Sequence, residues 1–344
     1  MANRINTTLR LFCPRHACKF YGLYDNKITK DGTYTTESDN VKRQMFYCDR
    51  GKHRFSETGF SDLFGKHGSF KEYEQASKLL SYGMSCDKIA DVLEKDKRTI
   101  DTWRRNIGGK CEIFHITLCM LVGLAIEFLQ MDELWSFLKG KKSQLWVFAA
   151  IESKTKFWIT FELGSRTVWT AVRLLKNIKM LLKISDDTVI KVTTDKLAAY
   201  KNALGKVFKE VNYYYLQFVK KRYRKKLITV KKFFVKGSSE DFPDKTQNTS
   251  FIERLNLTLR QNISYLRRKT LGYCKNTNNL KSTMWINLLN YNYIRPHKSL
   301  RIQISNKKNK FTKFYKHNTP AMMSGLTSCP LTWRELIVAP VLKK

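Results

Sequence analysis

The 344-residue chain carries 64 Lys and Arg against 29 Asp and Glu, a formal net charge of +35 at pH 7. That length allows one full hydrophobic core with small appended modules and excludes a miniprotein that depends on disulfides. The charge exceeds what solubility needs and calls for a polyanion; because basic residues run the whole length among Tyr, Phe and Trp, nucleic acid is favoured over a membrane surface.

Residues 1–60 read as a small Cys/His-bearing head. The strings "CPRHAC" and "YCDRGKHRF" hold Cys13, Cys18, Cys48 and His53. Soft thiolates with one imidazole suit tetrahedral Zn²⁺, and the interval of about 30 residues can close as a zinc-ribbon-like unit. His16 competes as a ligand, and a metal-free β-rich head is the alternative. Cys86, Cys111, Cys119, Cys274 and Cys329 read as ordinary cysteines. Scattered cysteines and an N-terminal "MANRINTTLRLFCPRH" without an apolar core point to a reducing, cytoplasmic setting. The apolar run Ile113–Met131 contains His115 and Glu127 and is too short to span a membrane. It is expected to be a buried helix leading into a buried strand, with no membrane partner.

Residues 70–110 have helix-turn-helix spacing. Leu79 and Leu80 precede a turn at Gly83, Ile89 and Leu93 mark a second helix, and Ile100, Trp103 and Ile107 a third, with Asp96 placed to cap it. Lys97, Arg98, Thr102, Arg104 and Arg105 are expected on the outward faces, where a recognition helix meets phosphates and base edges. A helical hairpin with a solvated charged face carries the same pattern; the basic chain favours DNA.

From residue 126 to 301 short apolar runs alternate with helical patterns. "IEFLQMD", "QLWVFAAIE" and "KFWITFELG" predict an antiparallel meander. "TVWTAVRLLKNIKMLLK" predicts a helix, "TVIKVTTD" a strand, "KLAAYKNALGKVF" a helix and "VNYYYLQFV" a strand, together a mixed α/β sheet. The basic stretch "VKKRYRKKLITVKKFFVKGSSEDFPDK" suits a backbone-tracking segment or an edge strand guarded by Lys. Residues 302–344 form a C-terminal tail.

Three acids stand where metal-dependent phosphoryl transfer would want them. Clustered carboxylates from separate elements can hold a pair of Mg²⁺ ions ~3.5–4 Å apart. Asp132 is expected at the end of the first strand and Asp195 at the end of "VIKVTTD". Glu253 opens a helix whose stripe of Ile252, Leu255, Leu259, Ile263 and Leu266 is buried, with Asn256, Arg260, Ser264 and Arg267 on the face of Glu253. Each acid has a structural alternative: an exposed strand end for Asp132, a helix cap for Asp195, and a capping box with Ser250 for Glu253. Glu240, Asp241 and Asp244 compete for the third role from a loop, which positions ligands less well than a packed helix. His297, after a helix end marked by Pro296, suits either a DNA contact or a structural role.

Taken in order, "MDELWSF", "TTDKLAAY", "NTSFIERLNLTLRQNISYLRRKTLGYCKN", "WINLLNYNYIRPHKSLR" and "TPAMMSGLTSCPLTWRELI" resemble insertion-sequence transposases of the DDE type, closest to the insertion-sequence-one group. The resemblance implies an RNase H-like catalytic domain with a Mg²⁺- or Mn²⁺-dependent site on Asp132, Asp195 and Glu253. It also implies binding to double-stranded DNA, both the element's inverted-repeat ends and target DNA, and a homo-oligomer. Arg254, Asn256 and Arg260 would be support or DNA-contact positions. Such transposases usually place Gly after the second Asp, where this chain has Lys196. A catalytically inactive, domesticated DNA-binding regulator and a structure-selective nuclease are the rival readings.

Overall fold

The computed structural model describes residues 13–15, 17–21, 27–37, 40–60, 63, 68–185, 187–224, 226–243, 246–268, 272–304 and 314–339. The chain divides into two compact units, one of residues 1–80, 84–114 and 331–344, the other of residues 81–83 and 115–330.

In the first unit, β1 (Ile28–Thr36), β2 (Val41–Cys48) and β3 (His53–Ser56) form an antiparallel sheet in sequence order. Helices α1 (Phe70–Ser81), α2 (Cys86–Val92) and α3 (Lys97–Val122) follow along the chain, Ser81 and the part of α3 from His115 onward belonging to the second unit. Ser85 accepts the Lys88 amide at the start of α2 and Asp96 accepts the Arg98 amide before α3. Such acceptors satisfy amide donors that the first turn leaves orphaned. Ile89, Ile100, Trp103 and Ile107 are all buried, and Tyr73 meets Trp103 edge to face with centroids 5.3 Å apart. Two expectations need correction. The third helix does not stop near residue 110 but continues to Val122. Arg104, expected outside, is 4% exposed and pairs with Asp101 at 2.9 Å.

The second unit is built on a six-stranded mixed sheet. Its strands are β4 (Phe128–Phe137), β5 (Gln144–Glu152), β6 (Phe157–Gly164), β7 (Val189–Asp195), β8 (Asn212–Tyr223) and β9 (Lys226–Lys236), in the order β6-β5-β4-β7-β8-β9. The meander β4–β6 and the pair β8–β9 are antiparallel, whereas β4–β7 and β7–β8 are parallel. Val147–Glu152 are buried one after another, as in a strand covered on both faces. Helices α4 (Val168–Leu181) and α5 (Ala198–Val207) pack on each other and α4 on β6. Helix α6 (Ser250–Asn262) lies on β4 and β5, and α7 (Thr277–Leu289) on β6. The basic stretch forms β9, an edge strand with Lys231, Lys232 and Lys236 along it, which discourages pairing with another chain.

The run containing Asp132 does not end there. Leu134 and Ser136 are buried and β4 stays paired with β5 through Phe137. Pairing with β7, however, ends at Met131↔Thr194. Asp132 is thus the first residue with one side of its strand open. Helix α6 ends earlier than its apolar stripe suggests, with Ser264–Leu266 as a separate 3-10 turn. At Gly83 the backbone has φ +79° and a Cβ would lie 2.0 Å from the Asn262 carbonyl oxygen, so only glycine fits.

The C-terminal segment contributes a hairpin of β10 (Ile302–Ile304) and β11 (Phe314–Lys316), a short helix α8 (Pro320–Met323) and α9 (Trp333–Val338), which Thr332 and Glu335 cap reciprocally. Among the described residues, no helix is long and apolar enough to cross a membrane.

Candidate functional site

The parallel β4–β7 register sets the geometry. Phe128↔Lys191 through Met131↔Thr194 are paired, so one further step along both strands brings Asp132 level with Asp195. Oxygens of Asp132, Glu133 and Asp195 lie within 4.8 Å of one another. Asp132 and Asp195 open into a cleft of about 480 Å³ also lined by Arg166, Lys196, Lys220, Thr249 and Glu253. All three sequence-predicted acids therefore line one cleft, and Glu133, almost wholly buried, stands beside two of them.

Helix α6 is fixed to the sheet by a side chain rather than by propensity. Gln130 accepts the Ile252 amide at 3.1 Å and donates to the Asn248 carbonyl at 2.9 Å, and Thr193 donates to the same carbonyl. This lock sets the rotation of α6. Asn256 Nδ2 then reaches Asp132 Oδ2 at 2.8 Å, while its buried Oδ1 has no protein partner. An amide placed in this way fixes the orientation of the Asp132 carboxylate, as a supporting group would if that carboxylate held a metal.

Cations attend two of the acids. Glu133, with 3% of its side chain exposed, accepts from Arg166 Nε at 2.9 Å and from Tyr200 Oη at 3.3 Å. Glu253 pairs with Lys220 and accepts from Thr249 at 2.6 Å. The capping-box alternative for Glu253 is not taken up, since Ser250 bonds to Asn248 instead. Asp195 spends one oxygen on the Leu197 amide at 2.9 Å before α5, the structural use anticipated for it. Burial, then the charges of Glu133, Asp195 and Glu253, pushes the Asp132 carboxyl up to about 7 from 3.8. Burial and Asp195 raise Glu133 as well, opposed by Arg166. Carboxylates that raise one another's protonation suit a divalent cation, which would offset their repulsion. Lys196 stands at the position of the usual Gly and directs its ammonium over the Phe233 ring, 4.8 Å from the centroid.

The remaining site residues divide. Lys97 pairs with Asp87 on an exposed surface, and Arg98, Thr102 and Arg105 lie on the accessible side of α3, Arg105 donating to Thr102. Arg260 donates to the Leu266 carbonyl at 2.8 Å and Arg267 to the Gln261 carbonyl. Arg254 is exposed on a part of α6 away from the acids. Glu240 and Asp241 do not line the carboxylate cleft, Asp241 accepting from Ser238, and Asp244 lies outside the described residues. His297 is half-buried against the Tyr291 carbonyl. Glu133, Arg166 and Lys220 were not anticipated; adjacent strand residues normally point to opposite faces, so nothing in the local pattern places Glu133 beside Asp132.

In the head, ligand atoms of Cys13, Cys18, Cys48 and His53 lie within 4.8 Å of one another. His53 Nδ1 faces the Gly51 carbonyl at 2.9 Å and Nε2 lies 3.0 Å from Cys13 Sγ. With Nδ1 donating, Nε2 is left as the ligating atom. The Gly51 amide also donates to Cys48 Sγ. Four soft donors in this arrangement fit Zn²⁺. His16 lies outside the described residues.

Residues 125–239 match the family model for IS1 transposase. Over 147 residues the chain is 29% identical to the insertion element IS1 protein InsB of Shigella sonnei, covering 42% of this chain and 82% of that protein. It is likewise 29% identical over 147 residues to the insertion element IS1 9 protein InsB of Escherichia coli (strain K12), of which it spans 64%. A solved structure, the crystal structure of the Mos1 strand transfer complex, overlaps 44% of this chain and 59% of that chain at 13% identity and a TM-score of 0.21, too slight an overlap to bear on the fold. The expected kinship with the insertion-sequence-one group is borne out at modest identity.

Proposed function

We propose that this chain, an insertion-sequence transposase of the IS1 group by these likenesses, cleaves the ends of its element and joins the freed 3′-hydroxyls to target DNA. The observation that carries the reading is the juxtaposition of Asp132 and Asp195 at adjacent parallel strands, with Glu253 facing the same cleft. The order β6-β5-β4-β7-β8, antiparallel up to β4 and parallel beyond it, supports an RNase H-like assignment for residues 126–301.

Asp132, Asp195 and Glu253, with Glu133 beside them, would hold Mg²⁺ or Mn²⁺. The ions supply activation of the attacking oxygen and neutralisation of the phosphate. Asn256 holds the Asp132 carboxylate in place. Arg166 and Lys196 offer positive charge to the phosphodiester at the rim. Lys220 neutralises Glu253 until that carboxylate is engaged. The path has two displacements: water opens the phosphodiester and leaves a 3′-hydroxyl, and that hydroxyl then attacks a target phosphodiester, releasing the target's own 3′-oxygen. No bond to protein forms.

In the same reading, the head carries Zn²⁺ on Cys13, Cys18, Cys48 and His53. A helix-turn-helix at 70–110 presents Lys97, Arg98, Thr102 and Arg105 to double-stranded DNA; Arg104 is left out because it is buried. Working on two DNA ends implies a homo-oligomer in the prokaryotic cytoplasm. Lys196 and the Lys220–Glu253 pair favour, as a second reading, an inactive DNA-binding regulator.

Full-length protein incubated with labelled inverted-repeat ends, a plasmid and Mg²⁺ separates the alternatives. Cleavage and joining, both abolished by D132N, D195N or E253Q while end binding persists, is the expected result. Joining at the normal rate by E253Q overturns the site. Binding without cleavage identifies the regulator, and cutting of branched duplexes without joining identifies a nuclease.

A further inference from the structure

Helix α6 has a second functional side. At about 100° per residue, Glu253 and Asn256 fall on one flank of the helix, whereas Arg254, Thr258 and Asn262 fall on the other. The buried stripe of Ile252, Leu255 and Leu259 lies between them. That opposite flank borders a separate cleft of about 710 Å³, closed on its other sides by the turn after β5 and the segment following α7.

The charge of this cleft is one-sided. Lys156, Arg254, Arg295 and Lys298 line it, together with neutral hydrogen-bonding groups, and no Asp or Glu is among its described lining residues. Burial and the nearby charges of Arg295 and Lys156 press the His297 imidazole down to about 4, so at neutral pH it is an uncharged hydrogen-bonding group. Lys156 is steered into the cleft edge by Ser299, 2.5 Å from its Nζ, and by the Phe251 ring. Four cations gathered around an open cavity without carboxylates repel one another unless an anion enters.

We propose that this cleft binds the phosphodiester backbone of DNA flanking the scissile phosphate. The proposal rests on the DNA-processing reading above. A helix is ~10–12 Å across with its side chains, so phosphates held here are distinct from the one at the carboxylates. Arg254 and Arg295 can fork onto phosphate oxygens, Lys156 and Lys298 act as point charges, and Ser299 and Asn262 offer neutral hydrogen bonds. Binding on both sides of α6 would tie the rotation of Glu253 and Asn256 to occupancy of the flanking backbone.

The test is the salt dependence of duplex binding by the full-length protein without Mg²⁺. R295A/K298A removes two exposed cations, and K176A/K209A, on an unrelated surface, is the control. Each phosphate contact contributes ~0.9 to the slope of log affinity against log salt. Wild type should therefore lose about tenfold more affinity than R295A/K298A between 50 and 200 mM salt. R295K/K298R should restore the wild-type slope, which separates lost contacts from misfolding. An unchanged slope in R295A/K298A, or an equal change in K176A/K209A, overturns the proposal. Equal competition by inorganic phosphate at the ionic strength of the duplex also overturns it, because it reveals a small-anion site. End cleavage by wild type is read separately: normal slopes without cleavage would sink the transposase reading and leave the cleft assignment standing.

Discussion

The sharpest prediction concerns the stability cost of the carboxylate cluster. Asp132 has its carboxyl raised from 3.8 to about 7, first by burial and then by Glu133, Asp195 and Glu253. Between those pH values the folded chain binds a proton that the unfolded chain releases. The resulting stability is fully present below about pH 4 and is lost as pH rises through 7. At ~1.4 kcal/mol per pH unit, ionising Asp132 in the metal-free protein withdraws up to about 4 kcal/mol. Asp132→Asn keeps the shape and an acceptor but cannot ionise. In EDTA, the urea midpoint of D132N should lie close to that of wild type at pH 4 and clearly above it at pH 8, with slower hydrogen exchange in β4 and β5 peptides. Excess Mg²⁺ should narrow the gap at pH 8 by stabilising wild type alone. A difference that is independent of pH, or wild type more stable than D132N at pH 8 in EDTA, would refute the reasoning.

Other consequences follow from individual contacts. Lys220→Met releases Glu253 from its ion pair, so Mg²⁺ titrated calorimetrically into the DNA-free protein should bind several-fold more tightly; unchanged affinity would mean that the pair does not compete with metal. In the head, burial and the neighbouring sulfurs of Cys18 and Cys48 push the Cys13 thiol up to about 12, so Zn²⁺ uptake must expel protons and tighten with rising pH. Cys48→Ser should lower bound zinc from one ion per chain to a trace by elemental analysis and loosen β2 and β3. Leu129, fully buried in the central strand β4, should cost about 2–5 kcal/mol on truncation to Ala, seen in the urea midpoint.

The meander and the alternating strands and helices were legible because burial periodicity dictates them, and β5 coincides with the string "QLWVFAAIE"; the three acids were legible as a set only through the family resemblance of the strings that hold them. Asp132 was misplaced at a strand end because the local run breaks at two adjacent acids. What continues β4 is non-local, the pairing of Phe137 with Gln144 across a turn. Arg104 was legible and was missed. It stands four residues after Ile100 and three before Ile107, inside the arc those residues define, and burying it requires a counter-charge that Asp101 supplies. Glu133 meets Asp195, and Lys220 reaches the cleft, only through tertiary placement, the first where β7 pairing stops and the second from β8, which no window of sequence contains.

The distribution of charge within the cleft narrows what the site lacks. Glu133 is matched by Arg166 and Glu253 by Lys220, so two acids carry their own cations. Among the described residues, Asp132 and Asp195 have no ion pair; Asp132 is held by the neutral amide of Asn256 and Asp195 by a backbone amide. Neither hydrogen bond supplies positive charge, and burial, with the neighbouring carboxylates, pushes the Asp132 carboxyl up to about 7. Two half-buried carboxylates side by side without a cation repel one another, whereas a divalent ion between them would offset that repulsion. Lys196, the residue after Asp195, directs its ammonium over the Phe233 ring of β9 instead. Among the described residues, the side chain that stands where the resembled transposases usually carry Gly therefore leaves the carboxylate pair without an ion pair.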